Sequence, residues 1–436
     1  MYFVLLASGI FYLSIHPPKE KITMRSVGQF FFTMYLVILF CMSGLAGTAF
    51  AEKALVTGEK SNTLTIVDLD TDEVVKTITV GKVPHAIGVT PDKTKAYTGN
   101  RGSNSISVVD LVGYEPVQTI PLSHTIMNLE VSPDGRFVSA NSRTEPMVSL
   151  IETATNRVKW TLLVGEPQKV DETKGKSVVD MGNPAVHTKR GGIVVSHDTW
   201  SPDSRYIYTP DRLNYRIVKI DVAKGEVAAK LQMTGPTHHM IISRDGRTIY
   251  AANDGVPKKK LLPSITVIDA DTMTIVKDIP LTLPDGEFIQ GHHAAFDNSG
   301  RYLYFCNRGG RKGEKRGFTV GIIDTTTQTL VKTVKAGYGA GHANFSPDGR
   351  YVFILNHFEN KISVFDTGTM KPVTDIDLPF PPPGSWGHSG CFSDDGAYYY
   401  QLSEAEGIMA KIDVKNLRFV KAVKVGTWPS IMTILR

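Results

Sequence analysis

One turn phrase keeps returning along this chain, and it limits the fold more than any other feature. Its full form is Ser132-Pro133-Asp134-Gly135-Arg136. It recurs as Thr90-Pro91-Asp92, Ser201-Pro202-Asp203, Ser243-Arg244-Asp245-Gly246-Arg247 and Asp297-Asn298-Ser299-Gly300-Arg301, and again as Ser346-Pro347-Asp348-Gly349-Arg350 and Ser393-Asp394-Asp395-Gly396. Proline presets one turn dihedral and glycine accepts the positive one, so each copy is a tight turn. After each turn comes a short apolar strand such as Tyr351 to Leu355, then a polar turn, a strand ending in Asp such as Ile362 to Asp366, and a fourth strand. Four short strands repeated every 40–55 residues, roughly, predict an all-β propeller of four-stranded blades.

Seven complete units start near residues 85, 127, 193, 238, 292, 342 and 388. An opening unit at 53–80 has only three strands, and a lone strand, Pro429 to Leu435, ends the chain. That strand fits as the missing first strand of the opening unit, which predicts eight blades closed by the C-terminal strand. Seven blades is the runner-up, with the last segment as a cap. The wording resembles the YVTN repeat family over nearly all of residues 53–436.

The first 51 residues do not follow the repeat. After an apolar run and Pro17-Pro18-Lys19-Glu20-Lys21, a second pattern opens at Met24 with Arg25, an apolar stretch from Phe30 to Met42, and Ala49-Phe50-Ala51. A positive end, an apolar middle and a small-x-small site read as a secretory signal peptide. Residues 1–51 are therefore expected to be an N-terminal extension and signal peptide with the true start at Met24. Residues 52–436 are expected to form a single propeller domain, periplasmic or secreted, with no stable membrane span after cleavage. The net charge of +5 falls to +3 without residues 1–51, which hold three Lys or Arg and one Glu. The basic residues are scattered and no nucleic-acid motif appears, so nucleic acid is not an expected partner. Cys306 and Cys391 lie in apolar strand contexts that favour buried thiols.

The histidines carry the functional signal. His197, His239, His293 and His342 each stand four residues before the Ser, or its equivalent, of a turn, and His85, His238, His292 and His388 stand five before it. His124 stands eight before Ser132. A propeller's first strand lines the central channel, so these positions crowd one mouth. Convergent imidazoles without thiolates suit copper or a multinuclear site. Side chains alternate along a strand, so one residue of each His-His pair is expected to reach the channel, with His238 and His292 as outer supports or alternative ligands. A lone histidine is more often a satisfied core residue; histidines heading six strands at one level argue for ligation.

Loops between second and third strands emerge at the same mouth with Lys60, Arg101, Arg143, Arg212, Asp254, Arg308, His357 and Glu404. Lys60, Arg101 and Arg143 come from consecutive units and would place positive charge beside an anion. Asp198 reads equally as a carboxylate ligand or a turn residue. Gly165 to Gly192 is placed as a lid, Phe380 to Trp386 as a stiff wall beside His388, and Arg308 to Arg316 as a basic loop able to dock an acidic partner.

With the histidines in place, the chain resembles the copper propellers of thiocyanate dehydrogenase and nitrous-oxide reductase. That resemblance implies a multinuclear copper centre held by His85, His124, His197, His239, His293, His342 and His388. Lys60 and Arg101 would hold an anionic substrate, with Asp198 as a third catalytic candidate. The implied activity is a periplasmic copper oxidoreductase acting on a small inorganic sulfur or nitrogen species such as thiocyanate, passing electrons to a soluble cytochrome or other carrier. No cupredoxin-type copper segment is present, which favours the thiocyanate dehydrogenase comparison. The alternative resemblance is to the haem d1 propeller, which is eight-bladed. It implies either a haem d1 or other metal bound over the channel, or a non-enzymatic binding and interaction protein. A lactonase-type hydrolase ranks last, for want of a carboxylate set.

Overall fold

The structure is a computed structural model that describes residues 52–435 apart from 166–194, 196, 257–258, 285–286, 288–289, 310–316, 381–386 and 388. The expectations for the leader and the lid, for Trp386 and His388, and for most of the basic loop fall outside the described residues. Eight four-stranded antiparallel sheets follow one another along the chain. The second is representative, with strands Pro84–Val89, Lys95–Asn100, Ser105–Asp110 and Glu115–Pro121 running from the inside outward.

The first blade takes its innermost strand from the far end of the chain. Pro429–Leu435 pairs antiparallel with Lys53–Gly58, setting Lys53 opposite Leu435 and Val56 opposite Met432. The eight-bladed, end-closed expectation is the one the structure adopts. Closing the ring in this way leaves no half-paired blade at the junction.

The turn phrase folds as its residues dictate. Ser132 Oγ donates to Asp134 Oδ1 at 2.7 Å and accepts from the Phe137 N–H at 3.0 Å, while the Gly135 N–H closes on Ser132 O at 2.8 Å. Ser201, Ser243, Ser346 and Ser393 repeat this bond to the Asp two residues on. Gly135 sits at φ +73°, whereas Lys93 holds the equivalent place at φ 61°. Lys93 is exposed, so Lys93→Gly removes the left-handed penalty without losing a buried contact. A net gain of roughly 0.5–1 kcal/mol is expected after glycine's extra entropy cost, read as a higher urea midpoint at unchanged slope.

The core lies between blades. Each blade's two middle strands are buried, as are Lys95–Asn100 and Ser105–Asp110 but for their outer ends, and the outermost strands are largely exposed. One apolar cluster joins Tyr97, Ile106 and Val108 of the second blade to Leu129, Val138 and Ile151 of the third. Another joins Ala54 and Val67 of the first to Leu402 and Met409 of the eighth. Such side-by-side packing fixes the innermost strands in a ring and sets their entry ends at one level. Among the described residues no helix is long and apolar enough to cross a membrane.

Candidate metal centre at the histidine mouth

Four consecutive blades, the fourth to the seventh, bring seven imidazoles together. His293 is the hub: its ring centroid lies 4.1 Å from His342, 4.3 Å from His239, 4.5 Å from His292, 4.6 Å from His197 and 5.5 Å from His238. His357 closes the group, 5.4 Å from His342 and 5.1 Å from His292. Ligand atoms of His197, His238 and His293 lie within 4.8 Å of one another, as do those of His292, His293 and His342.

Both members of each His-His pair face the cluster, which corrects the alternation expected from sequence. The cause is a register break where the inner strand begins. Pairing shifts between Thr237 and His239, and between Gly291 and Ala294. A β-bulge puts two residues of one strand opposite one of the next and re-aims a side chain that would otherwise point away. His357 reached the sequence reading only as a loop residue at the mouth. Gly341 makes room for it, since a Cβ there would stand 2.0 Å from His357 Cδ2.

Hydrogen bonds separate ligand-like rings from supporting ones. His292 Nδ1 lies 3.1 Å from Gly341 O, so that nitrogen donates and Nε2 keeps its lone pair. This backbone anchor is the usual outer partner of a metal-binding imidazole. Arg212 instead donates to His238 Nδ1 at 3.3 Å and to Thr237 O at 2.8 Å, while pairing with Asp254 at 2.6 Å. With Nδ1 accepting, the His238 proton sits on Nε2, the arrangement of a support. His239 Nδ1 is buried with no hydrogen-bond partner.

Burial holds these rings neutral. It carries His239 down to about 4 and His342 down to about 3, the latter helped by neighbouring positive charge. Burial first, then the neighbouring imidazole (His239 for His197, His342 for His293), pushes both well below the ordinary range; for His238 and His292 the second cause is Arg212 and Arg308 respectively. Neutral imidazole is the form that ligates a metal, so the group is ready at neutral pH without displacing protons.

Other candidates lie apart. His124 is a satisfied core residue: Nδ1 donates to Thr125 O at 2.6 Å and Nε2 accepts from Ser149 Oγ at 2.8 Å, which leaves no lone pair for a metal. His85 Nδ1 meets Glu59 Oε1 at 2.5 Å and Ser430 Oγ at 2.8 Å; burial and then Arg101 lower it to about 4. Asp198 is committed to the third blade, accepting from Ser139 Oγ at 2.6 Å and Asn141 Nδ2 at 3.2 Å. Burial raises it to about 6 beside Glu130, itself pushed well above the usual range. Lys60 is exposed and rests over the Trp428 ring, 3.6 Å from its centroid. Cys306 is a buried thiol and Cys391 a half-buried one, neither in a disulfide and neither in the two imidazole triples.

The chain is similar to several known proteins. A family model described as the Cytochrome D1 heme domain matches residues 264–378, the segment that carries His292, His293, His342 and His357. Among solved structures, the dihydro-heme d1 dehydrogenase NirN in complex with DHE superposes with a TM-score of 0.66 at 18% identity, over 87% of this chain and 74% of that one. The hydrazine synthase of Kuenenia stuttgartiensis gives 0.51 at 20% identity, over 71% of this chain and 90% of that one. Antigen Lp49 of Leptospira interrogans is 28% identical over 138 residues, which is 30% of this chain and 28% of the antigen's length. These likenesses share the fold.

The donor set fits the group that the matched family's name implies. A macrocycle iron takes one or two imidazoles, and His292 offers a backbone-anchored ring for that role. A group of bare ions takes more: His292, His293 and His342 form one triple, and His197 and His293 stand together with His238 as their support. All-imidazole donors suit iron, copper or zinc and disfavour calcium or magnesium.

Proposed function

We propose that this propeller holds a redox-active transition-metal cofactor at its histidine mouth. The observation that carries the reading is the convergence of seven imidazoles from four consecutive blades, five of which form two triples with nitrogens within 4.8 Å of one another. The first form of the proposal is a haem d1-type propeller, in which an imidazole such as His292 would hold the macrocycle's iron at the mouth. It is supported by the Cytochrome D1 heme domain match at 264–378 and by the likeness to a haem d1 dehydrogenase.

A second form is favoured by one observation, the number of donors. Seven imidazoles exceed what one macrocycle iron can use, and His293 belongs to both sets of three. In that form the mouth holds several copper ions, and the protein is an oxidoreductase for a small inorganic sulfur or nitrogen species such as thiocyanate. Either cofactor, when bound, supplies one-electron chemistry. The chain's own residues hold it, keep their imidazoles neutral and set ring orientation through Gly341 O and Arg212. We place the mature domain in the periplasm, from the leader-like sequence of residues 1–51, and assign it a soluble electron carrier as partner. With the cofactor but no turnover, it serves as a binding protein.

Metal analysis and the optical spectrum of residues 52–436, matured in a periplasm, test both forms. A tetrapyrrole spectrum with one iron per chain supports the first. Two or three coppers without a macrocycle support the second. A folded chain that takes up neither, with both supplied, overturns the proposal.

A further inference from the structure

Beside the histidine cluster, the second and third blades place two guanidinium groups at the mouth with little to bind. Arg101 and Arg143 occupy equivalent loops, between the second and third strands of their blades. Arg101 is largely enclosed, its side chain 18% exposed. Its nearest anion is Glu59 Oε1 at 3.9 Å, and that oxygen is already held by His85 Nδ1 at 2.5 Å. Among the described residues its guanidinium's only other polar neighbour is the Met127 sulfur at 3.9 Å, and its buried Nε has no hydrogen-bond partner. Arg143, half-buried, makes no hydrogen bond or ion pair among the described residues. Guanidinium groups bring five donors each in a fixed fork, so most of this capacity is unspent.

The two cations also act on each other. Burial and then Arg143 lower Arg101 to about 10, and both arginines depress His85. Glu59 and, from the eighth blade, Glu404 oppose this charge only in part. Bringing two like charges into a half-buried site without a bonded counter-ion costs stability, and a fold retains such an arrangement where an anion occupies it.

We propose that Arg101 and Arg143 form an anion-binding pocket at the channel mouth, which takes a small anion with two acceptor atoms, a carboxylate or an inorganic oxoanion. Adjacent guanidinium forks match such a ligand in the bidentate manner that ammonium groups do not. The pocket does not depend on which metal cofactor the histidines hold. Two sources supply this chemistry: a free anion, or the acidic substituent of a bound macrocycle.

The experiment compares cofactor-free protein and Arg143→Gln in sodium nitrite and in sodium chloride of equal ionic strength. Arg143 makes no hydrogen bond or ion pair among the described residues, so in chloride the variant is expected to melt at or up to about 2 °C above the wild type. A fall of more than about 3 °C makes Arg143 a structural residue and overturns the proposal. Nitrite-specific stabilisation of the wild type, with the apparent Kd raised at least tenfold in Arg143→Gln, supports the pocket with a free anion as its ligand. If nitrite has no effect but Arg143→Gln loses a supplied tetrapyrrole at least tenfold more readily, the pocket stands with the cofactor's own acid group as ligand. If both effects are absent, the proposal is overturned. Because the nitrite arm needs no cofactor, a protein that binds no metal leaves that arm readable.

Discussion

Replacing His293 with alanine is expected to lower cofactor affinity at least a hundredfold, since loss of an outer partner alone costs 10–100-fold, about, and His293 lies in both nitrogen triples. Its ring touches five other imidazoles, so no neighbour takes over its position without moving several others. The fold should tolerate the change, because the ring stands partly on the channel surface and its removal leaves little cavity. His124→Ala is the matched control. His124 is 1% exposed and both ring nitrogens are bonded, so its loss should cost about 2–3 kcal/mol of stability while cofactor content stays full. Metal or macrocycle stoichiometry and a urea melt on each variant separate the two roles. Equal cofactor content in His293→Ala and wild type would remove the histidine mouth as the site.

The sequence carried the ring almost completely, for a reason visible in single residues. Ser132, Asp134 and Gly135 close their turn among themselves, so the signal is local and survives in every copy. The lone strand Pro429–Leu435 was legible because its apolar pattern had no partner nearby and the opening unit lacked a strand. The site was legible to the level of the mouth but not to the direction of each ring. His238 and His292 were set aside because alternation sends neighbours to opposite faces, and the bulges at Thr237–His239 and Gly291–Ala294 cancel that rule locally. No sequence signal announces such a bulge. His124 was gathered in by its proximity to the common position, yet the inner strand of its blade begins only at Asn128, and the ring turns into the blade to meet Ser149. His357 could have been found, since it stands in the same loop slot as Arg101 and Arg212. Read by charge class, that slot separates an imidazole from its guanidinium equivalents, although all three reach the same mouth.

Cofactor-free protein should lose stability steeply as pH falls from about 6.5 toward 4, because an unfolded histidine takes a proton near its ordinary value while the buried one does not. The sign follows from the depressed native values: the unfolded state binds more protons throughout this window, so stability is present above 6.5 and drains as pH drops. His85 and His239, held near 4, and His342, near 3, each contribute roughly 2 kcal/mol of loss by pH 5 on this linkage. His197, His238, His292 and His293 shift the same way. The first three rings alone account for about 6 kcal/mol at pH 5, a large share of a typical folding free energy, and the other four add to it. A metal that occupies the imidazole lone pairs must be displaced before they protonate, so the loaded protein should keep its stability to lower pH. Urea midpoints between pH 7.5 and 4.5, with and without cofactor, measure both curves. A flat apo curve would mean that these rings reach water freely, and the closeness of seven imidazoles would then have no need of a metal to explain how they are kept together.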